Sequence, residues 1–299
     1  MLEKIKEVPF IDESSAVKVL SVDGKIELER NDRVVWAAEK TAIESEGIDC
    51  YVEADKFFAL FPDIKSLKQG TCLEVTLKNG ARYELPFLTV EWSSVQMPED
   101  YDDSITFKLS DLMLCTLKNL VRPELQCIYI DQQGAVSCDF ISACVSKEVK
   151  ASAPFLLPPD IQDLVDGRLC KVKVTDTNIY IQASDFSVVT SRPTMSEDAW
   201  WEGLRDAITD VPAFADAAPL AAGMKRLAMF GDYVNFDGDR VVSGSNYEPF
   251  AFANLEGNQY EIEKVSRILS TATHISEKGG NLVLKNESNM FLISPMDEA

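Results

Sequence analysis

Two periodicities in the placement of apolar residues divide the chain into short strands and short helices. Runs in which apolar and polar residues alternate predict strands, and such runs recur along the chain. Runs in which apolar residues recur every three or four positions predict amphipathic helices, most clearly at residues 214–230 and 262–272. The apolar stripes of these two helices are Ala217, Leu220, Ala221, Met224 and Leu227, and Ile262, Val265, Leu269 and Ala272. Arg226 and Arg267 lie opposite the stripes, so we expect the helices to cover one side of sheets and to carry basic residues on their exposed side.

One unit of this pattern occurs three times, at a spacing of about one hundred residues. Each copy begins with two strands joined at a glycine turn, and the turn glycines are Gly24, Gly134 and Gly238. A third strand follows, then a short helix, and a second hairpin closes the copy. The short helices begin at Ala54, Pro158 and Ile262, and earlier helices are predicted at residues 109–120 and 214–230.

The repeat predicts an α+β protein of three similar domains. We assign residues 1–101 to the first domain, 102–197 to the second and 198–299 to the third. The linkers near residues 99–103 and 195–198 are short and acidic. Short linkers indicate domains that pack rigidly against one another rather than domains on flexible tethers.

The composition is that of a globular protein with an acidic surface. The net charge of −20 argues against indiscriminate adhesion to nucleic acids. It does not exclude DNA as a partner, because affinity depends on where the 29 lysine and arginine residues lie. The charged first segment is not a secretory leader, and no apolar run reaches the roughly 18 residues of a membrane span. We therefore expect a cytoplasmic protein, whose seven irregularly spaced cysteines are reduced residues of the core.

Residues that carry catalysis or bind metals are scarce. His274 is the single histidine, and no cysteine or carboxylate cluster lies near it in the sequence. There is no phosphate-binding loop, dinucleotide fingerprint or zinc-protease motif. Asp237-Gly238-Asp239 lacks the other ligands of a calcium loop, so we interpret it as a hairpin turn. The sequence thus predicts a protein that is not an enzyme and that needs no metal or cofactor.

The order and spacing of these elements resemble the bacterial-type DNA polymerase sliding clamp. Four local sequences support the resemblance: ADKFFAL at residues 54–60, YELPFL at 83–88, TNIYIQASDF at 177–186 and FLISPM at 291–296. The resemblance covers nearly all of the chain. It implies a DNA-clamp fold of three clamp domains, with sheets outside and helices lining a central pore. Two chains would join head to tail into a homodimeric ring that encircles double-stranded DNA without sequence specificity and confers processivity on a replicative polymerase.

The resemblance also implies two sets of functional residues. Basic residues on the helices would face DNA in the pore, and the candidates are Lys56, Lys118, Arg122, Lys225, Arg226, Lys264 and Arg267. The DNA polymerase and the clamp loader would dock short peptide motifs in a pocket between the second and third domains. That pocket would contain Phe140, Ile141, Ser142, Leu292, Ser294, Pro295 and Met296, while Phe291 and Ile293 would face the core and Trp200 and Trp201 would pack the junction or rim the pocket.

The chain departs from the clamp pattern in length and in one loop. It is shorter than typical members, and so few residues precede its first hairpin that its first pore helix is expected to be short or missing. In the second domain, clamps follow a Thr-Asp pair with Gly-His-Arg-Leu, whereas here Cys138-Asp139 is followed by Phe140-Ile141-Ser142-Ala143. These departures fit a divergent clamp of the kind that a phage encodes.

Three alternatives remain open at the level of sequence. A β-rich structural protein, such as a virion component, would also lack catalytic residues. An acidic-site hydrolase could use carboxylates such as Asp237 and Asp239. A clamp of two domains could assemble as a trimer, although the third copy of the repeat argues against it.

Overall fold

The computed structural model describes residues 16–31, 35–90, 95–118, 122–195, 199–250 and 257–296. The described residues form two compact units, and each unit combines two separate stretches of the chain. The first unit contains the residues up to Phe107 together with Asp163–Arg192. The second contains Lys108–Gln162 together with the residues from Pro193 onward.

The first unit consists of an eight-stranded antiparallel sheet, a three-stranded sheet and one short helix. Its elements are β1 (Ala16–Val22), β2 (Lys25–Asn31), β3 (Val35–Glu44), β4 (Asp49–Glu53), α1 (Ala54–Leu60), β5 (Ile64–Gln69), β6 (Leu73–Leu77), β7 (Arg82–Leu85), β8 (Asp103–Thr106), β13 (Leu169–Val174), β14 (Asn178–Gln182) and β15 (Phe186–Ser191). The large sheet has the order β4-β1-β2-β3-β15-β14-β13-β8, and the small sheet has the order β5-β6-β7.

The second unit repeats this plan with an eight-stranded and a four-stranded sheet. Its elements are α2 (Ser110–Met113), β9 (Ile128–Asp131), β10 (Gly134–Cys138), β11 (Ser142–Ser146), β12 (Phe155–Leu157), α4 (Trp200–Ala207), β16 (Ala215–Asp216), α5 (Ala218–Leu227), β17 (Tyr233–Asp237), β18 (Arg240–Ser243), β19 (Asn246–Pro249), β20 (Gln259–Glu261), α6 (Ile262–Leu269), β21 (His274–Lys278), β22 (Asn281–Lys285) and β23 (Asn289–Ile293). The sheet orders are β12-β9-β10-β11-β23-β22-β21-β16 and β19-β18-β17-β20. Helix α3 (Pro159–Val165) begins in the second unit and ends in the first.

The three glycine-turn hairpins are confirmed. Strands pair across Gly24, Gly134 and Gly238, and all three glycines have positive φ angles. Gly134 is required for a second reason, because a Cβ atom there would lie 2.0 Å from the carbonyl oxygen of Ser146. The predicted helices beginning at Ala54 and Ile262 are also confirmed. The two units cut across the three predicted domains, so the boundaries of the domains stay a prediction.

Helix α2 is much shorter than the helix predicted at residues 109–120, of which the last two lie outside the described residues. Only Ser110–Met113 are α-helical, and the next turn tightens, with the amide of Cys115 donating to the carbonyl of Leu112. The hydroxyl of Thr116 donates to the carbonyl of Met113, which competes with continuation of the helix. The helix predicted at 214–230 is likewise trimmed to Ala218–Leu227, although its predicted stripe residues Ala217, Leu220, Met224 and Leu227 are buried.

Helix α4 was missed by the sequence interpretation, which assigned no helix between the acidic linker near residues 195–198 and the helix predicted at 214–230. It packs on one face of the eight-stranded sheet of the second unit, among Tyr129, Val136, Ala143, Val145, Val283 and Leu292. Trp201 stacks on Tyr129 with ring centroids 4.0 Å apart and an interplanar angle of 11°. Trp201 is thus part of the apolar cluster between α4 and this sheet.

An ion pair at the β9–β10 turn fixes α4 to the sheet. Two guanidinium nitrogens of Arg205 donate to the two carboxylate oxygens of Asp131, each over 2.8 Å, and one also donates to the carbonyl of Gly134. Both side chains are largely buried, at 13% and 15% exposed. Burial alone would raise the pKa of the Asp131 carboxyl, but the hydrogen bonds from Arg205 and from the amide of Gln133 outweigh it, so that the pKa is lowered.

We predict that Arg205→Met lowers the free energy of unfolding at neutral pH by about 3 kcal/mol, because it leaves a buried carboxylate without its cation. The exposed pair of Arg240 and Asp237 supplies a matched control, and Arg240→Met should leave the free energy of unfolding close to that of the wild type. The pKa of Asp131 is lower in the native protein than in the unfolded chain. Its contribution to the free energy of unfolding is therefore fully present above the unfolded pKa and is lost as pH falls through the native pKa. Urea unfolding followed by tryptophan fluorescence should show the difference between wild type and Arg205→Met shrinking in acid. A difference that persists undiminished at low pH would contradict this assignment.

Candidate functional site

The predicted pocket residues come together at one end of the β11–β23 pair. Ser142 pairs with Ile293 in the strand register, and the amide of Ser294 donates to the carbonyl of Ile141 over 2.8 Å. Two residues further on, the amide of Met296 donates to the carbonyl of Gln259 over 2.8 Å. We call the surface formed by Phe140, Ile141, Ser294, Pro295 and Met296 the partner surface.

Burial separates the predicted pocket residues into two groups. Phe140 is 56% exposed, and the other four members of the partner surface are partly exposed. Ser142 and Leu292 are only 2% and 8% exposed. Leu292 belongs to the apolar cluster beneath α4, so its side chain is not open to a ligand. Phe291 and Ile293 are fully buried, which confirms that they face the core.

A buried carboxylate holds the loop that carries Phe140. Asp139 accepts hydrogen bonds from the amides of Ile141 and Ser142 and from the hydroxyl of Ser142, over 3.3, 2.8 and 2.9 Å. Its other carboxylate oxygen binds the ammonium group of Lys264. The side chain of Asp139 is 3% exposed, and a carboxylate buried to this degree requires a cation beside it.

Two of the seven predicted DNA-facing cations are therefore used inside the protein. Lys264 is 20% exposed and is paired with Asp139, and the guanidinium group of Arg267 donates to the carbonyl of Leu114 just after α2. Arg267 is only partly exposed, and its role in contacting DNA stays a prediction. A free carbonyl at the end of a helix attracts a basic side chain, and the i, i+3 spacing of Lys264 and Arg267 brings both to the same side of α6.

Of the other five predicted cations, three form ion pairs with acidic side chains and two do not. Lys56 pairs with Glu53 over 2.6 Å, and Arg122 pairs with Glu124. Arg226 makes a bidentate pair with Glu248, over 2.5 and 2.7 Å, and its hydrogen bonds lower the pKa of Glu248. Lys118 and Lys225 are exposed and make no ion pair with another described residue.

Lys225 borders a groove between α5 and α6. The groove has a volume of about 650 Å³ and is lined by Asp216, Ala218, Ala221, Ala222, Lys225, Arg226, Leu269, Ala272 and Thr273. Four of the lining residues are alanines, whose small side chains leave the space open, and Lys225 and Arg226 also line it.

The residues considered for catalysis are dispersed. The Nδ1 atom of His274 lies 2.8 Å from the neighbouring hydroxyl of Thr273. Asp237 stands at the β17–β18 turn and pairs with Arg240 over 2.7 Å. Burial raises the pKa of the Cys115 and Cys127 thiols to about 12, so both are protonated at neutral pH. Within the described ranges, no three histidine, cysteine or acidic side chains are grouped so that they could hold a metal ion.

Comparisons with known proteins rest on structure rather than on sequence. The sequence matches no protein-family model and no curated protein. A crystal structure of the DNA polymerase III subunit beta from Pseudomonas aeruginosa matches with a TM-score of 0.75 at 12% identity, covering 99% of this chain and 97% of that one. The Helicobacter pylori beta clamp bound to a DNA ligase peptide gives 0.75 at 13% identity, covering 99% and 96%. The Borrelia burgdorferi subunit beta in complex with a natural product gives 0.73 at 15%, with the same coverage.

The chain therefore has the fold of a DNA sliding clamp. More narrowly, it is the fold of the bacterial DNA polymerase III beta subunit, which the resemblance in the sequence predicted. The α+β class is confirmed as well, since short helices and antiparallel sheets make up both units. No helix in the described stretches is long and apolar enough to cross a membrane.

We predict a large loss of stability for a charge reversal at Lys264 and almost none for the same change at Lys225. Lys264→Glu should lower the free energy of unfolding by about 3 kcal/mol or more, because it places a second carboxylate against buried Asp139. Lys225→Glu should change it by about 0.5 kcal/mol at most, because Lys225 is exposed. Urea unfolding of both variants is the measurement. Equal stabilities would contradict the assignment of Lys264 to an internal ion pair.

Proposed function

We propose that this protein is a DNA sliding clamp, which encircles duplex DNA as a head-to-tail homodimer and tethers a DNA polymerase to it. The observation that carries the proposal is the match of the fold over 99% of the chain to bacterial beta clamps. The protein acts by its topology and is not an enzyme. Its partners are double-stranded DNA, a second copy of the chain, and a polymerase and clamp loader that dock short peptides in the cytoplasm. It needs no cofactor.

The strand pairing inside each unit supports ring closure by a second copy. In the first unit, β3 of the first repeat pairs with β15, the last strand of the second repeat. In the second unit, β11 of the second repeat pairs with β23, the last strand of the third repeat. The equivalent third strand of the third repeat is β19, and the equivalent last strand of the first repeat is β7. Both are edge strands of their sheets, so β19 of one copy can pair with β7 of another.

Exposed apolar side chains accompany these two edges. Tyr83 on β7 is 46% exposed and Tyr247 on β19 is 62% exposed. Met229 and Phe230 follow α5, the helix that is joined to β19 through the Arg226–Glu248 pair, and they are 71% and 60% exposed. Large apolar side chains gathered at an edge are typical of a surface that another chain covers. Identical contacts at both junctions of two such chains close a ring of six repeats.

We predict that the wild-type protein is a dimer at micromolar concentration and that Tyr247→Lys combined with Phe230→Asp makes it a monomer. The two charges would be buried between the paired edges and would disfavour the junction. Light scattering coupled to size-exclusion chromatography measures the mass. Leu169→Lys is the control, because Leu169 is 63% exposed on β13, an inner strand of its sheet, and should leave the dimer intact. A wild-type monomer or trimer would contradict the ring.

Lys56 on α1, Lys225 on α5 and Lys118, which lies beyond the end of α2, are the proposed contacts with DNA. Lys56, Lys118 and Lys225 are exposed, and a duplex in the pore would meet their flexible charged ends. Such contacts are weak and independent of sequence, which allows the ring to slide. The original set also contains Arg122 and Arg226, whose acidic partners would have to be displaced or shared by phosphate groups.

We predict that Lys118→Glu combined with Lys225→Glu weakens retention on circular DNA without changing the dimer. Subunits dissociated by dilution are reassembled in the presence of a nicked plasmid, and gel filtration at low salt separates bound from free protein. Lys68→Glu, an exposed change on strand β5, is the matched control and should behave as wild type. Cutting the plasmid once should release the wild-type protein. Protein that remains equally bound to linear DNA would contradict encirclement.

A further inference from the structure

Phe140 combines two features that are unfavourable separately. Its large apolar ring is 56% exposed, and its backbone has a φ of +78° in the left-handed region. Residues with a Cβ rarely adopt that region, and Phe lacks the polar side chain that stabilises it in Asn or Asp. Strain of this kind persists only where the surrounding structure enforces it. The loop therefore presents the ring of Phe140 to solvent against its local preferences.

The contacts of Asp139 are what enforce this conformation. One carboxylate oxygen accepts from the amides of Ile141 and Ser142 and from the Ser142 hydroxyl, which closes the backbone around Phe140. On the far side of the loop, the amide of Ser294 donates to the carbonyl of Ile141. Phe140 thus stands between a fixed carboxylate and the last strand, with its ring as the exposed member of the partner surface.

Lys264 holds that carboxylate in turn. Its ammonium group binds the second oxygen of Asp139, and the pair is nearly excluded from solvent on the Asp139 side. Lys264 belongs to α6, which is also tied to the end of α2 by the bond from Arg267 to the carbonyl of Leu114. Without the lysine, a buried carboxylate would stay uncompensated and would tend to turn toward water, which would release the two loop amides.

We propose that Lys264 and Asp139 are positioning residues for partner binding, which hold Phe140 in place as a preformed apolar contact for a peptide. A side chain that is already ordered before binding loses less conformational entropy when the peptide binds, so the complex is more stable. The partner surface then depends on Lys264 of α6, a residue that the resemblance in the sequence placed among the DNA-facing cations. This inference rests on the proposed function, since it assumes that a peptide binds at the partner surface.

The first experiment examines the loop without any ligand. Hydrogen exchange of the Ile141 and Ser142 amides, and chymotryptic cleavage after Phe140, are measured in the intact protein for wild type, Lys264→Met and Lys264→Arg. Lys264→Met should speed both processes by about tenfold, and Lys264→Arg, which keeps the cation, should restore most of the protection. Lys68→Met on β5 is the control. Unchanged exchange and cleavage in a folded Lys264→Met protein would overturn the inference.

The second experiment uses peptides selected from a random display library on the intact protein and retained if Phe140→Ala weakens their binding. Affinities are measured by fluorescence anisotropy. Lys264→Met should weaken such a peptide by about tenfold. The double variant Phe140→Ala with Lys264→Met should bind no more weakly than Phe140→Ala alone, because the lysine acts through the ring. A purely structural role of Lys264 would instead add its loss to that of Phe140→Ala, and this result would overturn the inference.

The two ways of failing can be told apart. If Phe140-dependent peptides bind Lys264→Met at wild-type affinity, the positioning role is wrong and the partner surface still stands. If the library yields no peptide that depends on Phe140, the partner surface and the positioning role are both wrong. Should Lys264→Met fail to fold, Asp139→Ala removes the acceptor of the two loop amides directly, and it should show the same losses in a folded protein.

Discussion

Pairing between half-repeats is the constraint on which the rest of this structure depends. A four-stranded half-sheet leaves backbone N–H and C=O groups open at its edges, and these groups need partners. The chain meets this need twice, by joining β3 to β15 and β11 to β23, and each junction turns two half-sheets into one sheet of eight strands. The same requirement at β7 and β19 is what a second copy would meet. Oligomerisation in the proposed ring is thus a continuation of the rule that builds each unit.

The second junction also creates the partner surface. Because β11 and β23 run side by side, the loop before β11 and the segment after β23 meet at one end of the sheet. Residues separated by some 150 positions in the chain thereby become neighbours. Helix α4 packs on one face of this sheet, where Trp201 stacks on Tyr129 and Arg205 pairs with Asp131 of the β9–β10 hairpin. Helix α4 therefore determines how much of the junction stays open to a ligand.

Local patterns predicted the features that local physics decides. The glycine turns follow from the positive φ at Gly24, Gly134 and Gly238, and the burial of Phe291 and Ile293 follows from strand alternation. Long-range contacts decided the rest. Helix α4 was missed because Asp131, whose carboxylate holds Arg205 of that helix, lies 74 residues away in sequence. Leu292 was predicted to be open because nothing in its own strand indicates that α4 covers it.

Lys264 and Arg267 bind groups of the protein itself, which reduces the positive charge available to attract DNA. A chain with a net charge of −20 repels DNA at long range, and each cation used internally leaves fewer to attract it. Free binding to a duplex would then be weak at physiological salt, since the number of phosphate contacts sets that affinity. A closed ring does not need the affinity, because it cannot leave circular DNA without opening. Weak attraction is compatible with the proposed function only if the closed ring keeps the protein on DNA. The edges of β7 and β19, with which no described strand pairs, are where the ring would close.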